Sequence, residues 1–300
     1  AREAGIEGFC YWHYWFAGKQ LLERPFNEVL ASGKPDFPFC IGWANESWTG
    51  VWHGVPDRIL IEQTYPGVED HRAHFEALLP AFLDKRYMHV DGKPIFVIYR
   101  PGVIPEISQT LYLWNELAIS SGLPGLCFIG ITSSMQVAKQ ITSFGFNAVN
   151  LIQYRIPSIE DRNLFLKLVF KIVRKNKFIQ YYQKLTRKPF HIYDYSEYIS
   201  EPSTEENIDF EYFPTIIPGW DNTPRAGING VVIQNNTPEL FKIMANRAVE
   251  KISEYPDDHK IIFIKSWNEW AEGNYIEPDQ RFGHDFLNAL SEAVKESKIG

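Results

Sequence analysis

The feature that most constrains this chain is an alternation of short apolar runs with amphipathic stretches of helical spacing. The runs Ile6–Tyr11, Phe37–Trp43, Pro94–Tyr99, Leu126–Ile131, Ala148–Gln153, Thr215–Pro218 and Ile261–Trp267 read as strands. Segments Gln20–Ala31, Val68–Tyr87, Ser108–Ser121, Met135–Phe144, Pro238–Tyr255 and His284–Lys298 read as helices. In the clearest of them, Phe75, Leu78, Leu79 and Phe82 recur on one face, and Glu69 and Asp70 stand near the electropositive start. Such alternation implies βα units around a parallel sheet. Seven strands are visible, one short of a closed barrel of eight, and the opening Ala-Arg-Glu-Ala-Gly reads as the end of a helix. The expectation is one catalytic domain over residues 1–300, an α/β barrel of the (β/α)8 type whose first strand and helix lie outside this stretch. A doubly wound open sheet is the alternative, but no glycine-rich phosphate loop follows the first visible strand, which counts against dinucleotide binding.

The connection from Tyr154 to Phe213 breaks the rhythm and is too long for a plain loop, so a helical insertion is expected over about 158–213, between strands six and seven of the full barrel. Between Arg162 and Lys188 it carries nine Lys or Arg and no acid, interleaved with Leu164, Phe165, Leu168, Val169 and Ile172. Two readings fit: a solvated face of the insertion, or a basic amphipathic helix touching an anionic membrane surface. No apolar stretch approaches the ~20 residues of a membrane span. The net charge of −7 argues against a nucleic-acid partner. Three cysteines in apolar runs, Cys10, Cys40 and Cys127, read as buried free thiols and favour a reducing, cytoplasmic setting.

In parallel βα barrels the active site forms where strands end. Here those ends carry polar groups flanked by rings: Tyr11, His13 and Tyr14; Trp43, Asn45, Glu46 and Trp48; Tyr99 and Arg100; Gln153; Trp220 and Asp221; Asn268 and Trp270. Nine Trp, fifteen Tyr and twenty-one Phe suit either a glycan-stacking cleft or a large core. Cleaving a glycosidic bond needs two acid–base groups about the anomeric centre, usually carboxyls whose environments push their pKa values apart. Glu269 and Glu272, three apart on a turn leaving the last strand, can face one cavity; Glu46 is a third candidate. No metal-ligand spacing and no Gly-x-Ser-x-Gly elbow is present, so neither metal, cofactor nor serine nucleophile is expected.

Several motifs in order, namely Gly5–Phe16 (GIEGFCYWHYWF), Ile41–Trp48 (IGWANESW), Lys93–Pro101 (KPIFVIYRP), Pro218–Arg225 (PGWDNTPR) and Ser266–Gly273 (SWNEWAEG), resemble the WbsX-type proteins of the glycoside hydrolase family 99-like group. The resemblance spans nearly the whole chain and implies the (β/α)8 barrel. Family 99 enzymes are endo-acting α-mannosidases or mannanases with a Glu-x-x-Glu pair, onto which Glu269 and Glu272 fall. By that resemblance, Glu269 assists the sugar's 2-hydroxyl in attacking the anomeric carbon and Glu272 is the acid/base, with retention through an anhydro-sugar. WbsX-type proteins are also named as glycosyltransferases of O-antigen or capsule assembly. A transferase would meet donor phosphates with Arg100, Arg155 and Arg225, and without an Asp-x-Asp it would work metal-free. A noncatalytic glycan-binding barrel is the third reading. In each case the partner is an oligosaccharide or polysaccharide.

Overall fold

The computed structural model describes residues 1–50, 55–152, 191–200, 208, 210–227 and 230–297. Seven strands, β1 (Phe9–Phe16), β2 (Phe39–Trp43), β3 (Lys93–Ile98), β4 (Cys127–Thr132), β5 (Ala148–Leu151), β6 (Tyr212–Ile216) and β7 (Phe263–Ile264), pair in parallel in chain order. The main helices are α1 (Arg24–Ser32), α2 (Val68–Phe82), α3 (Ile107–Ser120), α4 (Met135–Ser143), α5 (Pro238–Lys251) and α6 (Asp285–Ser297). Among the described residues β1 and β7 share no ladder. Their edges meet through Phe9 and Trp267, whose rings lie edge to face at 5.5 Å.

Every strand and helix read from the sequence has a counterpart, with shifted ends. β1 starts where its pairing to β2 starts, at Phe9 opposite Phe39, and runs on through Phe16. It then closes a hairpin with Lys19–Leu21, through Ala17 (φ 46°) and Gly18 (φ 83°), the two positive φ values that suit the twist of a two-residue turn. Tyr11–Phe16 therefore lies inside the strand, not after it. β6 begins three residues before Thr215 despite Pro214. The Ile216 carbonyl accepts from Lys265, so Pro214, two residues away, faces β7 on the same side. The ladder to β7 begins only at Thr215 opposite Phe263, so the missing N–H breaks no rung. β7 stops early because Ser266 takes φ 66°.

The core lies between the sheet and α2–α4. Phe82 and Trp114 of the helices meet Phe96 of β3 and Phe75 packs on Trp114, while Phe82 meets Tyr87, which packs on Phe39 of β2. Each of these rings is at most 3% exposed, and burying one contributes about 1.5–3 kcal/mol. A second cluster joins α5 and α6 through Phe241, Phe286 and Leu290, with Ala4 against it. From the long connection the description takes in a strand, His191–Asp194, parallel to Val231–Gln234, then a short helix, Tyr195–Ser200. Tyr195 Oη of that helix donates to the Ile217 carbonyl at 2.6 Å. The basic segment 162–188 lies outside the described residues, among which no helix is long and apolar enough to cross a membrane. Cys40 and Cys127 are buried as expected, but Cys10 is exposed, on the face of β1 that it shares with the exposed Trp12.

Candidate active site

Ser266 swings the chain out of the sheet just beyond β7. Asn268–Glu269 then pairs antiparallel with Asn274–Tyr275, and one 3-10 turn, Trp270–Glu272, fills the tip. Gly273 ends that turn at φ 56°, where a Cβ would come within 3.0 Å of the Asp221 backbone nitrogen. Glycine thus lets the loop after β6 lie directly against the tip. Glu269 and Glu272 stand at the start and end of this one turn.

Glu272 is 9% exposed. Arg225 Nη1 donates to its Oε1 at 2.5 Å, and Lys265 Nζ lies 4.0 Å from its Oε2. Arg225 rides on the short helix Thr223–Ala226. Asp221 starts that helix, its Oδ1 accepting from Thr223 N at 2.9 Å and Thr223 Oγ1 at 2.6 Å. Asp221 thus shapes the loop that delivers Arg225. The Lys265 ammonium sits 5.0 Å over the Trp220 ring. Burial pushes the Lys265 pKa down, partly opposed by the charges of Glu272 and Glu269.

Two tyrosines face the carboxylates. Burial raises the Tyr14 hydroxyl, and Glu269 raises it further, as does Glu46, while Arg225 pulls it down. Tyr99 is raised by burial and by Glu46, with Glu272 adding to the rise and Arg100 and Arg225 opposing it. Tyr14, Glu46, Tyr99, Arg100, Arg225, Lys265, Glu269 and Glu272 therefore share one electrostatic neighbourhood. Trp12 packs edge-on to Tyr99 at 5.6 Å and Trp48 edge-on to Tyr14 at 5.1 Å, walling it with rings. Arg100 Nε meets Glu46 Oε2 at 2.7 Å. Asn45, wholly buried, fixes that corner: its amide donates to the Arg100 carbonyl (2.8 Å) and accepts from Arg100 N (2.7 Å). Trp12 and Arg100 are 46% and 54% exposed, so the cluster opens to solvent.

The other residues singled out by sequence fall elsewhere. Tyr11, His13 and Trp43 lie on the helix-covered face: Tyr11 packs on Phe26 of α1, His13 bonds His74 of α2, and Trp43 packs edge-on to His74. Asn268 and Trp270 are exposed on the hairpin, where Trp270 stacks on Tyr275 at 3.6 Å and its Nε1 donates to Glu277. Gln153 and Arg155 lie outside the described residues.

Residues 1–290 match the family model for glycosyltransferase WbsX. The chain belongs to the WbsX family. WxcX of Xanthomonas campestris pv. campestris strain B100 is 29% identical over 300 residues, which are 98% of this chain and 40% of that protein. The chain thus spans two fifths of the length of the curated relatives it matches. In fold it is similar to a glycoside hydrolase-like protein at TM-score 0.60 and 17% identity, over 98% of this chain and 82% of that one. It is also similar to the GH99 endo-alpha-mannosidase from Bacteroides thetaiotaomicron at TM-score 0.59 and 16% identity, over 99% of this chain and 77% of that one. This WbsX-family chain accordingly has a GH99-like α/β fold.

Two members of the cluster escaped the sequence reading. Trp12 lies between Tyr11 and His13 and faces the opposite way, as alternate strand residues must. Lys265 was absorbed into the apolar run Ile261–Trp267. A lone charge next to the carboxylate turn was the available signal.

Proposed function

We propose that this chain is a retaining glycoside hydrolase of mannosidase-like type, acting on an α-linked bacterial polysaccharide through Glu269 and Glu272. The observation that carries the reading is the charge balance. Arg100 is matched by Glu46, and Arg225 and Lys265 by Glu272 and Glu269, beside aromatic walls. Such a surface suits a neutral sugar better than a donor diphosphate, which would have to compete with carboxylates already on these cations. In the first step Glu269 takes the proton of the 2-hydroxyl as that oxygen attacks the anomeric carbon. Glu272, which takes up a proton from solvent when the substrate displaces Arg225 from Oε1, gives it to the departing glycosidic oxygen. The resulting 1,2-anhydro-sugar is opened at the anomeric carbon by water, whose proton goes to Glu272 while Glu269 returns its proton to O2. Two inversions give net retention. The seven-stranded sheet is read as part of a (β/α)8 barrel, its gap between β1 and β7 bridged by Phe9 and Trp267.

The second reading, a glycosyltransferase of surface-polysaccharide assembly, draws on the description of the family. Product analysis on α-linked mannans and O-antigen oligosaccharides separates the two. The hydrolase reading expects cleavage with retention, reduced about 10²–10⁴-fold by Glu272→Gln and by Glu269→Gln. Undiminished cleavage in either variant removes the assigned roles. No cleavage across the panel, together with nucleotide-sugar binding, establishes the transferase.

A further inference from the structure

A cavity of about 480 Å3 opens between the starts of α2 and α3, with walls distinct from the carboxylate cluster. Its volume falls within the roughly 300–1,000 Å3 of small-molecule sites. Its lining is largely apolar: Val68, Pro105 and Leu113 with the rings of Tyr65 and Tyr112. Tyr112 and Val68 are 68% and 58% exposed, large apolar surface left bare where the two helices begin.

Polar groups line it as well. Neither Gly67 before α2 nor Glu106 before α3 provides a side-chain cap; the Glu106 carbonyl takes Gln109 N and Thr110 N, which leaves Ser108 N, on the cavity wall, without a backbone acceptor. His71, also a wall residue, is 5% exposed. Glu106, Ser108 and Gln109 add acceptors and donors. No Lys or Arg lines the cavity, and burial lowers the His71 pKa, leaving a neutral imidazole at neutral pH. A phosphate or nucleotide would meet Glu106 without a compensating cation. Two rings together with Ser108 N, the Gln109 amide and the Glu106 carboxylate instead suit a pyranose, which offers an apolar C–H face and a rim of hydroxyls.

We propose that this cavity is a second carbohydrate site, taking one neutral sugar unit between Tyr65 and Tyr112 with its hydroxyls toward the first turns of α2 and α3. It lies next to the catalytic rim through Tyr65, whose Oη accepts from Asn45 Nδ2 at 3.0 Å, while the Asn45 amide holds Arg100. A polymer engaged at the carboxylates thus has a second foothold on the same chain. The site shares with the proposed hydrolase only the kind of ligand and needs no cleavage.

Hydrogen exchange with α-linked mannotrioses and O-antigen oligosaccharides as probes, in the wild-type chain and in Glu272→Gln, tests it. The expected result is slowed exchange at residues 67–71 and 106–110 in both proteins. Tyr112→Ala and Gln109→Ala, both on α3, should each weaken that protection roughly three- to tenfold in saccharide concentration. Their thermal melts confirm that the fold is kept. Absence of protection at these segments with every saccharide overturns the proposal, as does protection indifferent to both substitutions, or equal protection by inorganic phosphate. Failure of the hydrolase reading shows differently: no product forms, while protection here persists.

Discussion

His13 on β1 and His74 on α2 approach Nε2 to Nε2 at 2.8 Å, with Trp15 stacked on His74 at 4.7 Å and Trp43 and Trp114 packed edge-on to it. One ring must donate and the other accept, so the contact exists only while the pair shares a single proton at that point. Burial holds His13 down at about 4 and pushes His74 well below its ordinary value too, with the His13 and His71 charges adding to the effect. Asp70 is the facing carboxylate; both its oxygens accept from Trp15 Nε1, at 3.1 and 3.2 Å. Both folded values lie below the unfolded value of 6.5, so the unfolded chain binds more protons once the pH drops. Stability is full above about pH 6.5 and is lost as the pH falls, levelling off for His13 near 4. His13 alone costs about 2 kcal/mol at pH 5. His74, shifted in the same direction, steepens the loss, against a total stability of roughly 5–15 kcal/mol. Urea midpoints followed by tryptophan fluorescence from pH 7.5 to 5.0 measure it. The His13→Leu/His74→Met double variant should start about 1–3 kcal/mol less stable at pH 7.5, from lost packing and the lost bond, yet fall much more gently. The two curves then converge or cross. A wild type as stable at pH 5.0 as at 7.5, or a double variant with the same slope, would refute the reasoning.

Three further outcomes follow from the site. Asn45→Ala leaves the Arg100 N–H and carbonyl without their side-chain partner and should cost about 2–4 kcal/mol by chemical denaturation; a loss below about 1 kcal/mol would mean that this corner is held otherwise. Gly273→Ala puts an L side chain at φ 56°, against the backbone of Asp221, and should cost about 1–3 kcal/mol and disturb Glu272; an unchanged melting temperature and unchanged turnover would contradict the close approach. Lys265→Met removes a desolvated cation while Arg225 still holds Glu272, so stability should stay within about 1 kcal/mol. Turnover should drop about tenfold or more, and equal turnover would remove Lys265 from the machinery.

The strands and helices were legible because period-two and period-3.6 patterns survive in a single sequence, and the Glu269/Glu272 turn was legible because it is local. Pairings such as Arg225 with Glu272, 47 residues apart, leave no local pattern. The faces of β1 were harder for a different reason. Strand polarity is normally read from alternating apolar and polar residues, but β1 carries rings on both sides: Tyr11, His13 and Trp15 toward the helices, Trp12 and Tyr14 toward the site. A strand with aromatic residues on both faces gives no sign of which parity is inside. The sign stood in the neighbouring strand. Gly42 is the one residue of β2 without a side chain, it pairs with Trp12, and a Cβ there would lie 2.8 Å from the Trp12 ring. A glycine inside an otherwise bulky buried strand marks close approach by a neighbour. Once Gly42 is taken as the bed of one ring, Trp12 and Tyr14 go to its face, and Tyr11 and His13 to the face of Ile41 and Trp43. The carboxylate cluster and the helix-packed core separate on that glycine.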